Sequence, residues 1–186
     1  MKDLYQLPDD LPVPIDDGAC DHLLDARIPS VLLKGVSGDT VNIGEVQGKF
    51  VLFSYPMNGQ PDALPGPDWS EIPGARGCTP QSCSYRDQHG DFLRSGCKVF
   101  GISSQPIEEQ KEAFKRLHLP FELLNDSKLA LTRAMNLPTF EYQSSEYIKR
   151  ITLIVTDGLI QKVFYPVFPP DGNVHDVIDW IEKNKA

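Results

Sequence analysis

Apolar positions fall into two kinds of segment along the chain. The run Phe50-Val51-Leu52-Phe53-Ser54-Tyr55 is almost wholly apolar and is bounded by Gly48 and Pro56, a pattern typical of a strand covered on both faces. We expect it to lie in the interior of a sheet. Other short apolar or alternating segments indicate strands at 31–33, 40–43, 98–103, 121–124, 148–156 and 160–167.

Segments with helical periodicity alternate with these strands. They cover residues 80–94, 106–117, 128–135 and 174–184, and the last is amphipathic. Two pairs of strands predict hairpins, 31–33 with 40–43 and 148–156 with 160–167, the second through Asp157-Gly158. Strands mixed with helices and one late hairpin favour an α/β domain with a mixed central sheet and helices on both faces.

Two segments lack either period. Residues 1–27 are rich in Pro and Asp, which predicts an arm that wraps the surface, and residues 28–186 read as a single domain. Within that domain, residues 57–77 carry four prolines and predict a long ordered loop or insertion. We expect this insertion to fold over the functional site, with Trp69 or Pro73 in its wall.

Composition limits the class of protein. The 186 residues are 40% hydrophobic, enough for one domain with a real core. The net charge of -8 disfavours nucleic-acid and anionic-membrane partners, because no basic stripe is present to neutralise phosphates. No signal-peptide core or membrane-length apolar run is present, which predicts a cytoplasmic protein.

The candidate chemistry lies in Gly-Cys-Thr-Pro-Gln-Ser-Cys, residues 77–83. Thr79 and Pro80 are a helix-start signal, with Thr as a cap, so Cys78 is expected just before the helix. The positive end of a helix and the neighbouring Arg76 favour a thiolate, which is the nucleophilic form of cysteine.

Cys83 falls one and a half turns into the predicted helix. Helix geometry puts its Cα about 8.6 Å from that of Cys78, beyond the limit of about 7 Å for a disulfide. A bond between them therefore requires the first turns to unwind. Two other interpretations stay open: both cysteines are small core residues, or they bind zinc, which is weaker because none of the four histidines supplies a second ligand pair.

Residues 78–87, Cys-Thr-Pro-Gln-Ser-Cys-Ser-Tyr-Arg-Asp, resemble the active-site segment of the peroxiredoxin Q group, also called bacterioferritin comigratory proteins. Matching motifs follow in the family's order, at Gly48-Lys49, Tyr55-Pro56, residues 99–103, residues 119–126, residues 150–153 and Asp157-Gly158. The resemblance covers residues 28–184 and implies a thioredoxin-like fold.

The resemblance also implies roles for individual residues. Cys78 would be the peroxidatic cysteine, Cys83 the resolving cysteine and Arg150 the cation of the peroxide pocket, although without the family Arg150 reads as an ion-paired structural residue. The expected pocket residues are Tyr55, Pro56, Gly77 and Thr79.

The implied enzyme is a thioredoxin-dependent peroxiredoxin of the atypical two-cysteine type. It would reduce hydrogen peroxide and organic hydroperoxides without a cofactor or metal, take electrons from thioredoxin or a similar dithiol, and act as a monomer or weak dimer. Two alternatives remain: a redox-sensing interaction protein, and a thiol-disulfide reductase on the same fold, for which the Cys-x-x-Cys spacing is absent.

One departure from the family pattern affects the pocket. The family has Pro, three residues, Thr, two residues and Cys, whereas this chain has Ala75 at the Thr position and its Pro56 is displaced by the insertion. Ser54, Ser70 or Thr79 could supply the missing hydroxyl. Cys97 is predicted to be a buried inert thiol, and Cys20 to be structural, with a second resolving role left open.

Overall fold

The computed structural model describes residues 4–62 and 65–184 and contains a seven-stranded mixed sheet. Its strands are β1 (Leu32–Gly35), β2 (Thr40–Asn42), β3 (Lys49–Ser54), β4 (Cys97–Ser103), β5 (Glu122–Asn125), β8 (Thr152–Thr156) and β9 (Leu159–Phe164). The strand order is β2-β1-β5-β4-β3-β8-β9. The apolar strand β3 pairs in parallel with β4 and antiparallel with β8, so it lies inside the sheet as predicted.

Helices cover both faces of this sheet. They are α1 (Cys78–Asp87), α2 (His89–Arg94), α3 (Ile107–Arg116), α4 (Ala130–Ala134) and α5 (Asn173–Lys183). Side chains of β3 alternate between two cores: Phe50 and Leu52 pack on the face that carries α4, and Val51 and Phe53 pack on the face that carries the other four helices. The predicted α/β architecture with a mixed sheet is confirmed.

The predicted helix at 80–94 begins earlier and is broken. It starts at Cys78, after Gly77 as N-cap with a φ of 107°, a left-handed conformation that glycine adopts without the cost of a Cβ. Thr79 does not cap the helix, which corrects the prediction, because its Oγ1 faces Asn58 Oδ1 at 3.5 Å. The helix stops at Asp87 and restarts at His89.

A second, two-stranded sheet was not predicted. It consists of β6 (Thr139–Tyr142) and β7 (Ser145–Ile148). The two turn residues, Gln143 and Ser144, have positive φ without being glycine, so the turn left no sequence signal. The strand predicted at 148–156 is therefore divided, since β7 ends at Ile148 and β8 begins at Thr152.

The N-terminal segment is more buried than predicted, whereas the insertion is ordered with one short element, as predicted. Residues 4–19 are exposed or half-buried, but Cys20 and Leu23 are buried in the core, so the segment 20–27 is not a surface arm. In the insertion, a short 3₁₀ helix, Pro67–Glu71, buries Trp69. Residues 1–3 of the arm and 63–64 of the insertion lie outside the described residues. In the part of the chain that is described, every helix is too short or too polar to span a bilayer.

Candidate active site

The site forms where β3 and β4 end side by side. Ser103, the last residue of β4, donates its hydroxyl to the carbonyl of Pro56 at 2.9 Å. Gln105 accepts from the Asn58 N–H and donates to the Asn58 carbonyl, both at 3.0 Å. This segment is therefore fixed, and it directs the Met57 N–H at the Sγ of Cys78, 3.4 Å away.

Arg150 supplies a cation to the same sulfur. Its side chain is 3% exposed, and its Nη2 lies 3.2 Å from Cys78 Sγ. The same nitrogen lies 3.2 to 3.3 Å from three successive carbonyls, those of residues 74–76. Since Nη2 has only two hydrogens, the sulfur competes with these carbonyls, and a thiolate attracts a guanidinium N–H more strongly than a neutral thiol does.

One side chain orients the guanidinium of Arg150, and another fixes the backbone on either side of this residue. Gln81 accepts a hydrogen bond from Arg150 Nη1. Ser54, the last residue of β3, donates its hydroxyl to the Lys149 carbonyl at 2.6 Å and accepts from the Ile151 N–H at 2.9 Å. One hydroxyl thus fixes the residues on either side of Arg150 to β3, at the point where the strand predicted at 148–156 is interrupted.

The helix contributes the third favourable interaction with a thiolate. Cys78 is the first residue of α1, and the first intrahelical bond runs from Gln81 N to Gly77 O at 3.0 Å. The sulfur therefore sits at the positive end of a ten-residue helix. The guanidinium, the backbone N–H and the N-terminus of the helix all face the same sulfur, an arrangement suited to stabilising negative charge on it.

A small cavity of about 40 Å³ opens onto Cys78. Gly77 and Thr79 line it, together with Trp69 and Met57. The two other expected pocket residues do not line it: Tyr55 is completely buried beside Cys78, and Pro56 is fixed behind it by Ser103. Burial and the nearby Cys78 sulfur raise the pKa of Tyr55, so its phenol stays protonated.

The position of Ala75 explains why a hydroxyl is missing there. Ala75 is fully buried in a cluster with Trp69 and Tyr142, which joins the insertion to the β6–β7 hairpin. A hydroxyl at this position would lie among aromatic rings. Of the three substitutes considered, Ser54 is occupied in orienting Arg150, whereas Ser70 and Thr79 line the cavity.

Cys83 has a different environment. It is half-buried against the core and lies in α1, five residues after Cys78. Burial raises the pKa of its thiol, and the nearby Arg86 opposes that shift only in part. Burial also raises the pKa of Cys20 and of Cys97 to about 12, which makes both thiols unreactive near neutral pH.

The sequence-based expectations did not include three contributors to this site. These are the Met57 N–H and the side chains of Gln81 and Gln105. Ser54 was expected only as a substitute hydroxyl, not as a support for the backbone around Arg150. A backbone N–H leaves no trace in sequence. The polar run Ser103-Ser104-Gln105 directly after an apolar strand was the one available signal.

Comparison with known proteins places this geometry in context. The family model described as Redoxin matches residues 24–179. The chain is similar to "Peroxiredoxin Q, chloroplastic" of Triticum aestivum, 25% identical over 83% of this chain. It is also similar to "Peroxiredoxin Bcp" of Bacillus subtilis, 30% identical over 60% of this chain. These matches span 64% and 62% of the respective relatives' lengths.

Solved structures share the fold. "Peroxidoxin BcpB" of Mycobacterium tuberculosis superposes with a TM-score of 0.72 and 19% identity, covering 88% of this chain and 98% of its own. "Peroxiredoxin Q" of Xanthomonas campestris gives a TM-score of 0.67 and 16% identity, covering 95% and 99%. The predicted thioredoxin-like fold is confirmed.

Proposed function

Because the chain belongs to the redoxin family, we propose that it is a thiol-dependent peroxidase in which Cys78 attacks a hydroperoxide. The observation that carries this proposal is the set of donors around one sulfur. Arg150 Nη2 and the Met57 N–H lie 3.2 Å and 3.4 Å from Cys78 Sγ. Cys78 and Met57 line a cavity, whereas Arg150 reaches the sulfur from outside it. Two relatives of the chain, peroxiredoxin Q and peroxiredoxin Bcp, have names that agree with this activity.

The first step is a displacement at oxygen. The Cys78 thiolate attacks one peroxide oxygen, an S–O bond forms and the O–O bond breaks. The sulfur is oxidised to a sulfenic acid, and the departing oxygen takes a proton to leave as water or an alcohol. Arg150 contributes twice, because its guanidinium stabilises the thiolate before attack and the negative charge on the departing oxygen in the transition state.

The second step restores the sulfur. Cys83 loses its proton and attacks the sulfenic sulfur as a thiolate, the S–O bond breaks, the departing oxygen takes up a proton to leave as water, and a Cys78–Cys83 disulfide forms. A dithiol donor such as thioredoxin then reduces this disulfide and is itself oxidised to a disulfide. Each cycle converts one hydroperoxide and one dithiol into an alcohol or water, one further water and one disulfide.

The placement of both cysteines supports a single-chain enzyme. Cys78 and Cys83 belong to the same helix, so resolution needs no second subunit. We therefore propose a monomer or weak dimer. A reducing compartment such as the cytoplasm fits a chain with four cysteines, two of them assigned to redox cycling.

Steady-state peroxide consumption with thioredoxin, thioredoxin reductase and NADPH tests the proposal. We expect sustained turnover that Cys78→Ser abolishes and that Cys97→Ala, which alters a buried thiol outside the cavity, retains. A single oxidation without turnover would favour a redox-sensing protein. Reduction of protein disulfides without peroxide consumption would favour a thiol-disulfide reductase.

A further inference from the structure

We propose that the N-terminal arm roofs the Cys78 cavity and restricts the reaction to small hydroperoxides, hydrogen peroxide above all. The roof is Leu4, which packs on Gly59 and lines the cavity, and Leu7 anchors the arm beside it on Gly77. This inference rests on the proposed peroxidase function and assigns the arm a role in substrate selection at the same site.

Leu4 packs directly on Gly59, which has no side chain to separate the two residues. A Cβ on Gly59 would lie 2.6 Å from Leu4 Cδ2, closer than carbon atoms approach in proteins. Gly59 does not have a positive φ, so its backbone does not demand glycine. Leu4 therefore packs directly over Gly59, where a side chain would push it aside, and both residues line the cavity.

Leu7 packs beside the cavity rather than in its wall, on the residue that precedes Cys78. A Cβ on Gly77, the residue before Cys78, would lie 2.9 Å from Leu7 Cδ2 and would also clash with Pro170. Gly77 has a φ of 107°, so here backbone and packing both require glycine. The arm thus contacts the chain directly beside the reactive sulfur.

A polar contact holds the roof between these two points. Arg116 donates to the Gly59 carbonyl at 2.8 Å and lies 3.4 Å from the Tyr5 hydroxyl. Glu112 holds the guanidinium of Arg116 in place through an ion pair at 2.6 Å. One arginine therefore links the arm to the loop on which Leu4 sits.

The narrow space under Leu4 limits the size of the substrate that reaches Cys78. About 40 Å³ is available, and since a water needs roughly 10 to 15 Å³ by this measure, the cavity holds about three water-sized groups. Hydrogen peroxide fits within that space. A hydroperoxide with an aromatic substituent fits only if Leu4 moves away from Gly59.

A double-mutant cycle tests the roof. Leu4→Ala removes it, and Gly59→Ala displaces Leu4 while the arm keeps its length. Each should raise the ratio of kcat/KM for cumene hydroperoxide to that for hydrogen peroxide, on the order of tenfold. The double variant should exceed neither single variant by more than about twofold, because both act on one contact. Leu93→Ala, at an exposed leucine in α2, should leave the ratio unchanged.

Alkylation of Cys78 separates failure of the roof from failure of the peroxidase. Iodoacetamide is small and N-phenylmaleimide is bulky, and mass spectrometry reports the modification at Cys78. Leu4→Ala and Gly59→Ala should accelerate the bulky reagent selectively. If peroxide is not consumed but this selectivity changes, the roof holds and the peroxidase proposal fails. The proposed roof is wrong if peroxides are consumed while two quantities stay at their parent values: the ratio of kcat/KM for the two peroxides, and the ratio of alkylation rates for the two reagents.

Discussion

Arg150 places a positive charge in direct contact with the Cys78 sulfur, where it stabilises negative charge on that atom. Its Nη2 lies 3.2 Å from Sγ in a buried setting, where a preorganised donor is worth more than in water. Removing one such donor from an active site lowers rates by about 10² to 10³. We predict a loss of this size in kcat/KM for hydrogen peroxide on Arg150→Met.

The matched control is Arg94→Met. Arg94 lies in α2 with a side chain that is 72% exposed, so the same chemical change should leave kcat/KM within about twofold of the parent, as for most surface substitutions. Stopped-flow measurement of both variants checks the prediction. Equal losses in the two would show that Arg150 acts through general electrostatics rather than through its contact with the sulfur.

Cys83 should make the resolving step dependent on pH. Burial raises the pKa of its thiol, so near neutral pH it is almost wholly protonated, and the attacking thiolate becomes more abundant as the pH rises. We expect disulfide formation after a single peroxide addition to accelerate by up to about tenfold per unit between pH 7 and 9. Quenched samples analysed by mass give the rate; a rate independent of pH would instead make helix opening the limiting event.

At the scale of single residues, the sequence predicted the ionisable groups of the site but not the residues that hold them in position. Cys78, Cys83 and Arg150 were named from motifs, and the structure brings Cys78 and Arg150 together. Ser54 was considered as a substitute hydroxyl, yet its hydroxyl fixes the backbone on both sides of Arg150. That role depends on a break between two strands, which no local pattern encodes.

At the scale of elements, α1 must change shape during the proposed cycle. Cys78 and Cys83 both lie within it, at a Cα separation of about 8.6 Å in a regular helix, which a disulfide cannot span. Two side chains in the first turns of α1 lack hydrogen bonds, because Gln81 Nε2 and Ser82 Oγ are buried without a partner among the described residues. Unwinding hydrates both groups, which offsets part of its cost.

The unwinding should stop at Tyr85. Its ring stacks on Phe53 at 4.3 Å, and its hydroxyl donates to Asn173 at 2.9 Å. We therefore predict that one equivalent of peroxide accelerates amide hydrogen exchange at residues 79–84, with less change after Tyr85. Cys83→Ser should suppress the acceleration. Unchanged protection in a protein whose 78–83 disulfide is verified by mass would contradict this account of the helix.

Elements with strong periodicity were predictable, and those defined by turns were not. The run at residues 50–55 is β3, and the amphipathic segment at 174–184 is α5. The β6–β7 hairpin was missed because its turn uses positive φ at Gln143 and Ser144 without glycine. The start of α1 at Cys78 depends on Gly77 as N-cap, whereas the sequence offered Thr79 as the better cap.

At the scale of the whole molecule, the insertion and the β6–β7 hairpin form one aromatic cluster beside the domain. Trp69 packs against Phe140, Tyr142 and Tyr147 at ring distances of 4.9 to 5.7 Å, and it also lines the Cys78 cavity. Trp69→Ala should therefore release the insertion, lower peroxidase activity and make residues 65–77 sensitive to protease. The sheet should persist because its two cores do not include Trp69.

Trp180→Ala is the comparison for this prediction. Trp180 packs from α5 against the core on the α1 face, so its loss should destabilise the domain by up to about 3 to 5 kcal/mol. Limited proteolysis and thermal unfolding distinguish the two variants. If Trp69→Ala melts the whole domain as Trp180→Ala does, the insertion is an integral part of the core.

The overall architecture followed from alternation of strands and helices, but the path of the termini did not. Residues 1–27 were predicted as a surface arm, yet Cys20 and Leu23 are core residues. The two residues stand alone in a Pro- and Asp-rich segment, so no repeating pattern of apolar residues indicated that they are buried. Leu4 and Leu7, which contact the cavity region, were likewise indistinguishable from other arm residues until the fold placed Gly59 and Gly77 beneath them.

The claim that Cys78 is the peroxidatic sulfur, resolved by Cys83, is tested most directly by mapping sulfur oxidation after one equivalent of hydrogen peroxide. Peptide mass analysis should find a 78–83 disulfide, with Cys20 and Cys97 still reduced because both are buried thiols with a pKa of about 12. Cys83→Ser should stop at a sulfenic acid on Cys78, and Cys78→Ser should leave the peroxide unconsumed. Consumption by Cys78→Ser at the parent rate, or first oxidation at Cys20 or Cys97, would contradict the claim.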